Sequence, residues 1–215
     1  MKKSSFIQDN LENLELSYET FGEHLLVGEF EQNEFSHMEI SLMLYDETDE
    51  CCEKKDAIAT AHITKIPSSY TYICSKAWGI QYDTFSALEE SGNADLEVIG
   101  EELNPDSYVA HSPTDEYLED NNIYYVSEFK VNPEFRNMGV GLFFMKTLHK
   151  WLRQITSEYF PIIVLIPSPI EIKKDAENYE EEKRRLVKFY KKAGMKKLRR
   201  NGEVMYFAYP QNETF

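Results

Sequence analysis

The amino-acid sequence predicts an α+β fold, in which helices flank a central, mostly antiparallel sheet. Two observations support this prediction. Residues 38–74 contain short segments that alternate apolar and polar side chains, as half-buried strands do, and residues 123–209 alternate between strand-like and helix-like segments. The chain has 215 residues, of which 42% are hydrophobic, which suffices for one domain with its own core. We assign residues 36–215 to that domain and residues 1–35, which show no clear period, to an extension packed on it.

Three strands are predicted in the first half of the chain. Residues 38–44 alternate apolar and polar side chains, and the acidic run 46–53 reads as the turn that follows. Residues 57–66 form a second strand segment, which Pro67 ends, and residues 70–74 form a shorter third. Together these segments predict an antiparallel meander.

Two helices and a loop precede the strongest strand signal. Residues 83–90 and 95–103 have helical signals, and the polar residues 104–122 are predicted as a loop. Residues 123–131, with the sequence IYYVSEFKV, carry β-branched and aromatic side chains on both faces. This composition is typical of a central strand that is covered on both sides.

The second half of the chain continues with a turn, a helix, a strand, a helix and a hairpin. The turn is RNMGVG at residues 136–141, and a helix with an apolar stripe follows it. The stripe consists of Phe144, Leu148, Leu152 and Ile155. Residues 162–166 predict a buried strand, residues 180–192 a charged helix that Gly194 ends, and residues 197–209 a hairpin.

The charge distribution limits the classes of partner. A net charge of −15 argues against binding to nucleic acid, which needs an excess of Lys and Arg. Residues 1–120 carry 6 basic and 27 acidic side chains, whereas residues 121–215 carry 17 basic and 11 acidic side chains. The second half is therefore suited to an anion, and the first half either attracts a cationic substrate or only keeps the protein soluble.

The sequence predicts a cytoplasmic protein. It contains no run of eighteen apolar residues, so we expect neither a membrane span nor a secretory signal. Its three cysteines do not form an even disulfide framework, although adjacent Cys51 and Cys52 could form a vicinal disulfide instead of two free thiols. We find no cluster of His, Cys and carboxylate residues that predicts a metal site.

The turn at residues 136–141 is the best candidate for a binding site. A glycine-containing turn that opens a helix presents unpaired N–H groups and the positive end of the helix dipole, which suit phosphate oxygens. A Cβ at Gly139 or Gly141 would keep a pyrophosphate away from the main chain; the alternative is that both glycines serve only a tight turn. Neither GxGxxG nor GxxxxGK[ST] matches, which disfavours dinucleotides and nucleoside triphosphates.

The sequence around this turn resembles the GNAT superfamily of acyl-CoA-dependent N-acetyltransferases. The resemblance rests on V-x-P-x-x-R-x-x-G-x-G at residues 131–141, the strands IYYVSEFK and IIVLI on either side of it, and FYKKAGM at residues 189–195. It covers residues 123–209. It implies the three-layer GNAT fold, with a central mixed sheet between helices, and transfer of an acetyl group from acetyl-CoA to a primary amine.

The resemblance also implies which residues bind acetyl-CoA, the acyl donor. The main-chain N–H groups of residues 138–141 would hold the pyrophosphate with Arg136 alongside, and the pantetheine arm would pair with the strand near Phe129 and Val131. The implied cofactor-binding set is Phe129, Val131, Arg136, Met138, Gly139, Val140 and Gly141. Lys146 and Lys150 either approach the phosphates or form a solvated helix face.

Two residues are predicted to be catalytic. An amine is almost fully protonated at neutral pH and needs a base or ordered water that leads to one. Glu128 is the candidate base because it lies on the central strand near Val131. Glu128 could instead pair with Lys130 or with a neighbouring strand. Tyr190 matches the general acid of the family, which protonates the departing thiolate, and it could instead be a core tyrosine. Where many relatives have an Asn seven residues before this Tyr, the chain has Lys183.

The acceptor amine is not defined by any motif. His62, His111, Trp78 and Asp83 are candidates for its pocket. The alternative function is a catalytically inactive acyl-CoA-binding or protein-interaction module of the same fold. We expect either a monomer or a homodimer.

Overall fold

A computed structural model describes residues 6–9, 11–21, 36–44, 57–66, 72–74, 81–83, 93–103, 122–157, 161–198 and 202–207. The strands are β1 (Leu14–Phe21), β2 (Ser36–Leu44), β3 (Ala57–Ile66), β4 (Tyr72–Cys74), β5 (Gln81–Asp83), β6 (Ile123–Val131), β7 (Ile162–Leu165), β8 (Lys196–Lys197) and β9 (Met205–Phe207). The helices are α1 (Phe6–Asp9), α2 (Ala94–Leu103), α3 (Val140–Thr156) and α4 (Tyr179–Ala193). The α+β class is therefore confirmed. None of the helices in the described part of the chain has both the length and the apolar character needed to cross a bilayer.

Seven strands form one mixed sheet in the order β1-β2-β3-β6-β7-β9-β8. All neighbours are antiparallel except β6 and β7, which run parallel. An antiparallel meander is present, but its third strand is β1 and not β4. The prediction for residues 70–74 was wrong in this respect, because β4 pairs with β5 in a separate two-stranded sheet. The division at residue 35 stays a prediction, although the segment before it supplies the edge strand β1.

The larger core lies between one face of the sheet and helices α3 and α4. The predicted stripe of α3 faces this core, where Phe144, Leu148 and Leu152 are fully buried. They pack on alternate residues of the central strands, such as Tyr124 and Ile163. The spacing of apolar residues in the sequence therefore positions α3 correctly on the sheet.

Helix α2 covers part of the opposite face. Its Leu96 and Ile99 pack on Ile123 and on Tyr125, the alternate residues of β6. The Tyr125 hydroxyl donates a hydrogen bond of 2.7 Å to the Asp95 carboxylate on α2. Burial and this hydrogen bond both raise the pKa of Tyr125 well above its ordinary range. The first half of β6 is thus covered on both sides, as the sequence predicts.

The remaining predicted elements divide into those that are observed and those that are not described. The helix of residues 180–192 is α4, and Gly194 ends it in the left-handed conformation with φ 109°. The predicted hairpin is formed by β8 and β9. The acidic turn at residues 46–53, the part of the 83–90 helix after Asp83, and the loop up to residue 121 lie outside the described residues.

Candidate functional site

A cleft opens where β6 and β7 separate. Parallel pairing between them extends only from Ile123 and Ile162 to Tyr125 and Val164, whereas β6 continues to Val131. The cleft beside the second half of β6 has a volume of about 720 Å³. Its walls come from β6, from the turn before α3, from residues 168–172 after β7, and from α4. In an α/β sheet such a split between parallel strands is a usual place for a ligand.

Most of the predicted site residues meet in this cleft. It is lined by Phe129, Val131, Arg136, Gly139, Gly141 and Tyr190. Met138 is 43% exposed and its side chain is not part of the lining, while Val140 is fully buried in the core. The prediction for these two residues concerned their main-chain N–H groups, which lie in the same turn.

Within the described part of the chain, the turn before α3 provides open space and N–H groups that have no acceptor in the helix. Gly139 precedes the helix with φ 87°, and Asn137 also has a positive φ of 64°. The first hydrogen bond of the helix runs from Phe143 N to Gly139 O at 3.0 Å, so the N–H groups of the residues between them have no acceptor within the helix. A Cβ added at Gly139 would meet no described atom within 4 Å. This open space above free N–H groups is suited to an anion.

At position 141, glycine is required for a different physical reason, which is close packing. A Cβ at this position would lie 3.0 Å from Cγ2 of Val131 and 3.4 Å from Cζ of Phe189. The first turn of α3 therefore approaches β6 and α4 so closely that only glycine fits without displacement. This packing requirement would hold with or without a ligand.

Arg136 is held by a carboxylate that the sequence analysis did not single out. Its two terminal nitrogens contact both oxygens of Glu171, at 3.2 and 2.5 Å, and its Nε donates to the carbonyl of Val131 at 3.1 Å. Hydrogen bonding from Arg136 lowers the pKa of Glu171. The ion pair connects the two walls of the cleft. No sequence pattern indicated it, because the two residues are brought together only by the divergence of β6 and β7.

Tyr190 lies at the inner end of the cleft on α4. The residue is only 7% exposed, and burial raises the pKa of its hydroxyl to about 12. Its ring packs edge-on against Phe189 at 5.1 Å. Within the described part of the chain, the hydroxyl makes no hydrogen bond. Tyr190 is thus a core residue that also lines the cleft, and its role as a general acid stays a prediction.

Aromatic rings form the inner, apolar part of the cleft. Phe129 stacks on Phe144 of α3 at 5.5 Å and on Phe189 of α4 at 6.2 Å. These contacts tie the second half of β6 to both helices. They also place the side chain of Phe129 on the α3 and α4 face of the sheet.

Glu128 lies outside the lining of the cleft. It neighbours Phe129 on β6, so its side chain projects to the opposite face of the sheet, where it pairs with Lys130. Its Oε2 lies 3.5 Å from Nε2 of His62 on β3. Both contacts that the sequence left open as alternatives to a catalytic base, Lys130 and a neighbouring strand, are therefore present.

Of the other candidates, Lys146, Lys150 and Lys183 are described, and none of the three lines the cleft. Lys146 and Lys150 are exposed on α3 and do not line it. Lys183 pairs with Glu203 at 2.9 Å. Trp78 and His111 lie outside the described residues, and of Asp83 only the backbone, in β5, is described.

Comparison with models of known protein families gave no match, and comparison with curated protein sequences gave none either.

Proposed function

We propose that the protein is an N-acetyltransferase of the GNAT superfamily, which transfers an acetyl group from acetyl-CoA to a primary amine. One observation carries the proposal. Five residues assigned to the cofactor from sequence, together with Tyr190, line a single cleft at the point where β6 and β7 separate. The five cofactor residues lie within residues 129–141, whereas Tyr190 on α4 follows 49 residues after Gly141, so its presence on the same cleft is not a consequence of the motif at residues 131–141.

The turn before α3 supports binding of a pyrophosphate. The N–H groups of residues 140–142 precede the first helical hydrogen bond, and the space over Gly139 is open. Arg136 adds a positive charge beside this turn. An incoming phosphate would compete with Glu171 for this guanidinium, because both are anions that suit its paired donors.

The second half of β6 supports binding of an extended arm. No described strand pairs with β6 on its β7 side beyond Tyr125. An arm with amide groups can add to such an edge as a strand would. Phe129 and Val131 then provide apolar contacts next to it.

Acetyl-CoA would supply the acetyl group as a thioester, and the CoA thiol would be the leaving group. Tyr190 would donate a hydrogen bond to the sulfur as negative charge develops on it. Its phenol, with a pKa of about 12, stays neutral at physiological pH. It is also a weaker acid than a thiol by about 3.5 pKa units, or roughly 5 kcal/mol, so hydrogen-bond donation is favoured over complete proton transfer. Glu128 would accept a proton from the acceptor amine on the other face of the sheet.

One observation favours the second candidate, a catalytically inactive acyl-CoA-binding or protein-interaction module. Glu128 is paired with Lys130 and lies outside the cleft lining. Under this reading the charged face around Glu128 is only structural. The enzyme and the acyl-CoA-binding form of the module both require CoA binding and differ in turnover, whereas a protein-interaction module does not require CoA.

The first test measures thermal unfolding with acetyl-CoA, CoA, NAD and ATP. At a ligand concentration of about 100 times Kd, linkage stabilises the fold by about 2.7 kcal/mol, which raises the Tm by roughly 5 to 11 °C. We expect this shift with both CoA species and a much smaller one with NAD or ATP. Absence of a shift with CoA and acetyl-CoA would refute the enzyme and the acyl-CoA-binding module, and would leave only the protein-interaction module.

The second test compares Gly139→Glu with Gly139→Gln by calorimetry. Both substitutions carry the same strain at a positive φ, so their difference reports the charge alone. We expect the Glu variant to bind CoA more than about tenfold more weakly than the Gln variant. Thiol release from acetyl-CoA, screened against polyamines, aminoglycosides, amino acids and peptide amino termini, then separates the enzyme from the inactive module.

A further inference from the structure

A second group of interacting polar side chains lies on the sheet face opposite the cleft. His62 on β3 is at its centre, with Glu39 of β2 on one side and Glu128 of β6 on the other. Nε2 of His62 is 3.6 Å from Oε2 of Glu39 and 3.5 Å from Oε2 of Glu128. We call these three residues the His62 cluster.

The cluster has one protected and one open end. The side chain of Glu128 is 27% exposed and that of Glu39 34%, whereas that of His62 is 43% exposed. Glu128 is thus the most sheltered member, and the imidazole is the most accessible to water. A proton that passes from Glu128 to His62 therefore moves toward the solvent.

A β-bulge defines where the cluster sits on β6. His62 pairs with Glu128 and Ile63 pairs with Val126, which leaves Ser127 as the extra residue. The Ser127 hydroxyl donates to the carbonyl of His62 at 3.3 Å. The bulge directly precedes the stretch of β6 that lines the cleft, so the cluster is adjacent in sequence to the proposed acyl site.

Other ionisable groups share this face of the sheet. Lys130 pairs with Glu128, and Glu19 of β1 lies opposite Glu39. His37 of β2 contacts the Thr64 hydroxyl through Nδ1 at 3.0 Å. Within the described part of the chain, Glu39 and Glu128 are the carboxylates recorded as ion-pair partners of His62. An imidazolium at position 62 would therefore be held between two negative charges.

Acetylation of an ammonium acceptor requires two protons to leave its nitrogen. In the balanced reaction, the C–N bond forms, the C–S bond breaks, one proton ends on the departing sulfur, and one proton is released to solvent. The released proton must pass from the carboxyl group of Glu128 to water before the next turnover. An imidazole is suited to this step because one of its ring nitrogens can accept a proton and then release it to water.

We propose that His62 is the proton outlet of the enzyme: it accepts the proton that Glu128 has taken from the amine and releases that proton to water. The inference rests on the proposed acetyltransferase function. The amine N–H proton passes to a carboxylate oxygen of Glu128, then to the lone pair on Nε2 of neutral His62, and the resulting imidazolium loses a proton to water. Glu39 stabilises the imidazolium. His62 is therefore a positioning residue for the proton held by Glu128.

The test is His62→Gln in the thiol-release assay, with the full chain and an amine identified by the screen. We expect kcat to fall about 10- to 100-fold, below the largest losses of a direct acid or base, while acetyl-CoA affinity stays unchanged. Added imidazole should restore part of kcat in proportion to its concentration of free base, because it replaces the missing proton acceptor. His37→Gln is the matched control, since it removes another histidine from the same sheet face without touching Glu128, and it should behave like the parent.

A double-mutant cycle with Glu128→Gln isolates the coupling. If His62 acts through Glu128, His62→Gln should cost little further activity in the Glu128→Gln background. Additive losses, a kcat within twofold of the parent, or no response to imidazole would each overturn the proposal while leaving the acetyltransferase function intact. If the parent binds CoA but acetylates no amine in the screen, the proposed acetyltransferase function is refuted, and the proposed role of His62 is refuted with it.

Discussion

Tyr190→Phe removes a single hydroxyl group from the inner end of the cleft. The ring keeps its contact with Phe189, and the packing of α4 on the sheet is unchanged. The hydroxyl makes no hydrogen bond within the described part of the chain, although it reaches the wall of the cleft. Its loss should therefore affect function without removing a stabilising contact.

The expected change in stability follows from this environment. A buried hydroxyl without a protein partner is costly, by about 1–3 kcal/mol when no water reaches it. Because Tyr190 borders the cleft, water can satisfy part of this requirement. We expect the free energy of unfolding near neutral pH to stay the same or to rise by up to about 1 kcal/mol.

The pH dependence provides an independent check of the buried position. The pKa is about 12 in the folded chain and about 10 in the unfolded chain. Between these values the unfolded state releases a proton that the folded state keeps, so stability falls as the pH rises above about 10. The loss approaches roughly 1–3 kcal/mol by pH 12, at about 1.36 kcal/mol per pKa unit. Tyr190→Phe should lose this part of the alkaline dependence, while Tyr125 and Tyr206 contribute equally to both proteins.

Two measurements decide the outcome. Urea denaturation at neutral and alkaline pH gives the stability difference, and steady-state kinetics with the identified amine gives kcat. We expect kcat to fall about 10² to 10³-fold with unchanged CoA affinity, as when one donor to developing charge is removed. A loss of stability above about 1 kcal/mol at neutral pH would show that the hydroxyl is a structural donor. A kcat within twofold of the parent would refute its role in thiolate departure.

Gly141→Ala should lower the free energy of unfolding by about 1 kcal/mol in urea denaturation, because overlap with Val131 and Phe189 outweighs the better helix propensity of alanine; equal or higher stability would contradict the close approach of α3 to β6. Tyr125→Phe should lower it by about 1.5–3 kcal/mol, because it removes a partly buried hydrogen bond to the Asp95 carboxylate; no loss would mean that this bond does not hold α2. Glu171→Gln should increase CoA affinity about fivefold in calorimetry, since it releases Arg136 and removes a negative charge from the cleft. Weaker CoA binding by this variant would show that the carboxylate positions Arg136 for the ligand.

The order and type of elements after residue 122 could be predicted because their signals are local. Strand β6 follows from its composition, the stripe of α3 from a periodic pattern, and the end of α4 at Gly194 from a conformational requirement. Strand β1 was missed although its Leu14, Leu16 and Tyr18 do alternate with polar residues. Local sequence signals do not indicate which strands pair with each other, and for this reason β4 was assigned to the wrong sheet.

The site could be predicted only where one segment carries several of its parts. The turn at residues 136–141 and the adjoining end of β6 provide most of the cleft residues, so the motif located them. Glu171 and His62 could not be connected to Arg136 and Glu128 in the same way. Each of these pairs joins different strands or loops, and only the register of the sheet and the divergence of β6 and β7 bring them together.

The pairing of β3 with β6 has a consequence for how the chain is made. Strands β1–β3 and the unit β6–α3–β7 each join near neighbours, but residues 67–122 separate the two parts. If this connection behaves as an open loop, the entropic free-energy cost of closing it is roughly 3.6 kcal/mol in addition to a constant. The corresponding cost for the connection between β2 and β3 is about 2.2 kcal/mol. During synthesis at about 5–20 residues per second, one edge of β3 would stay unpaired for several seconds, until β6 leaves the ribosome. The strand edge that later holds His62 against Glu128 is therefore, in the nascent chain, open to pairing with another molecule.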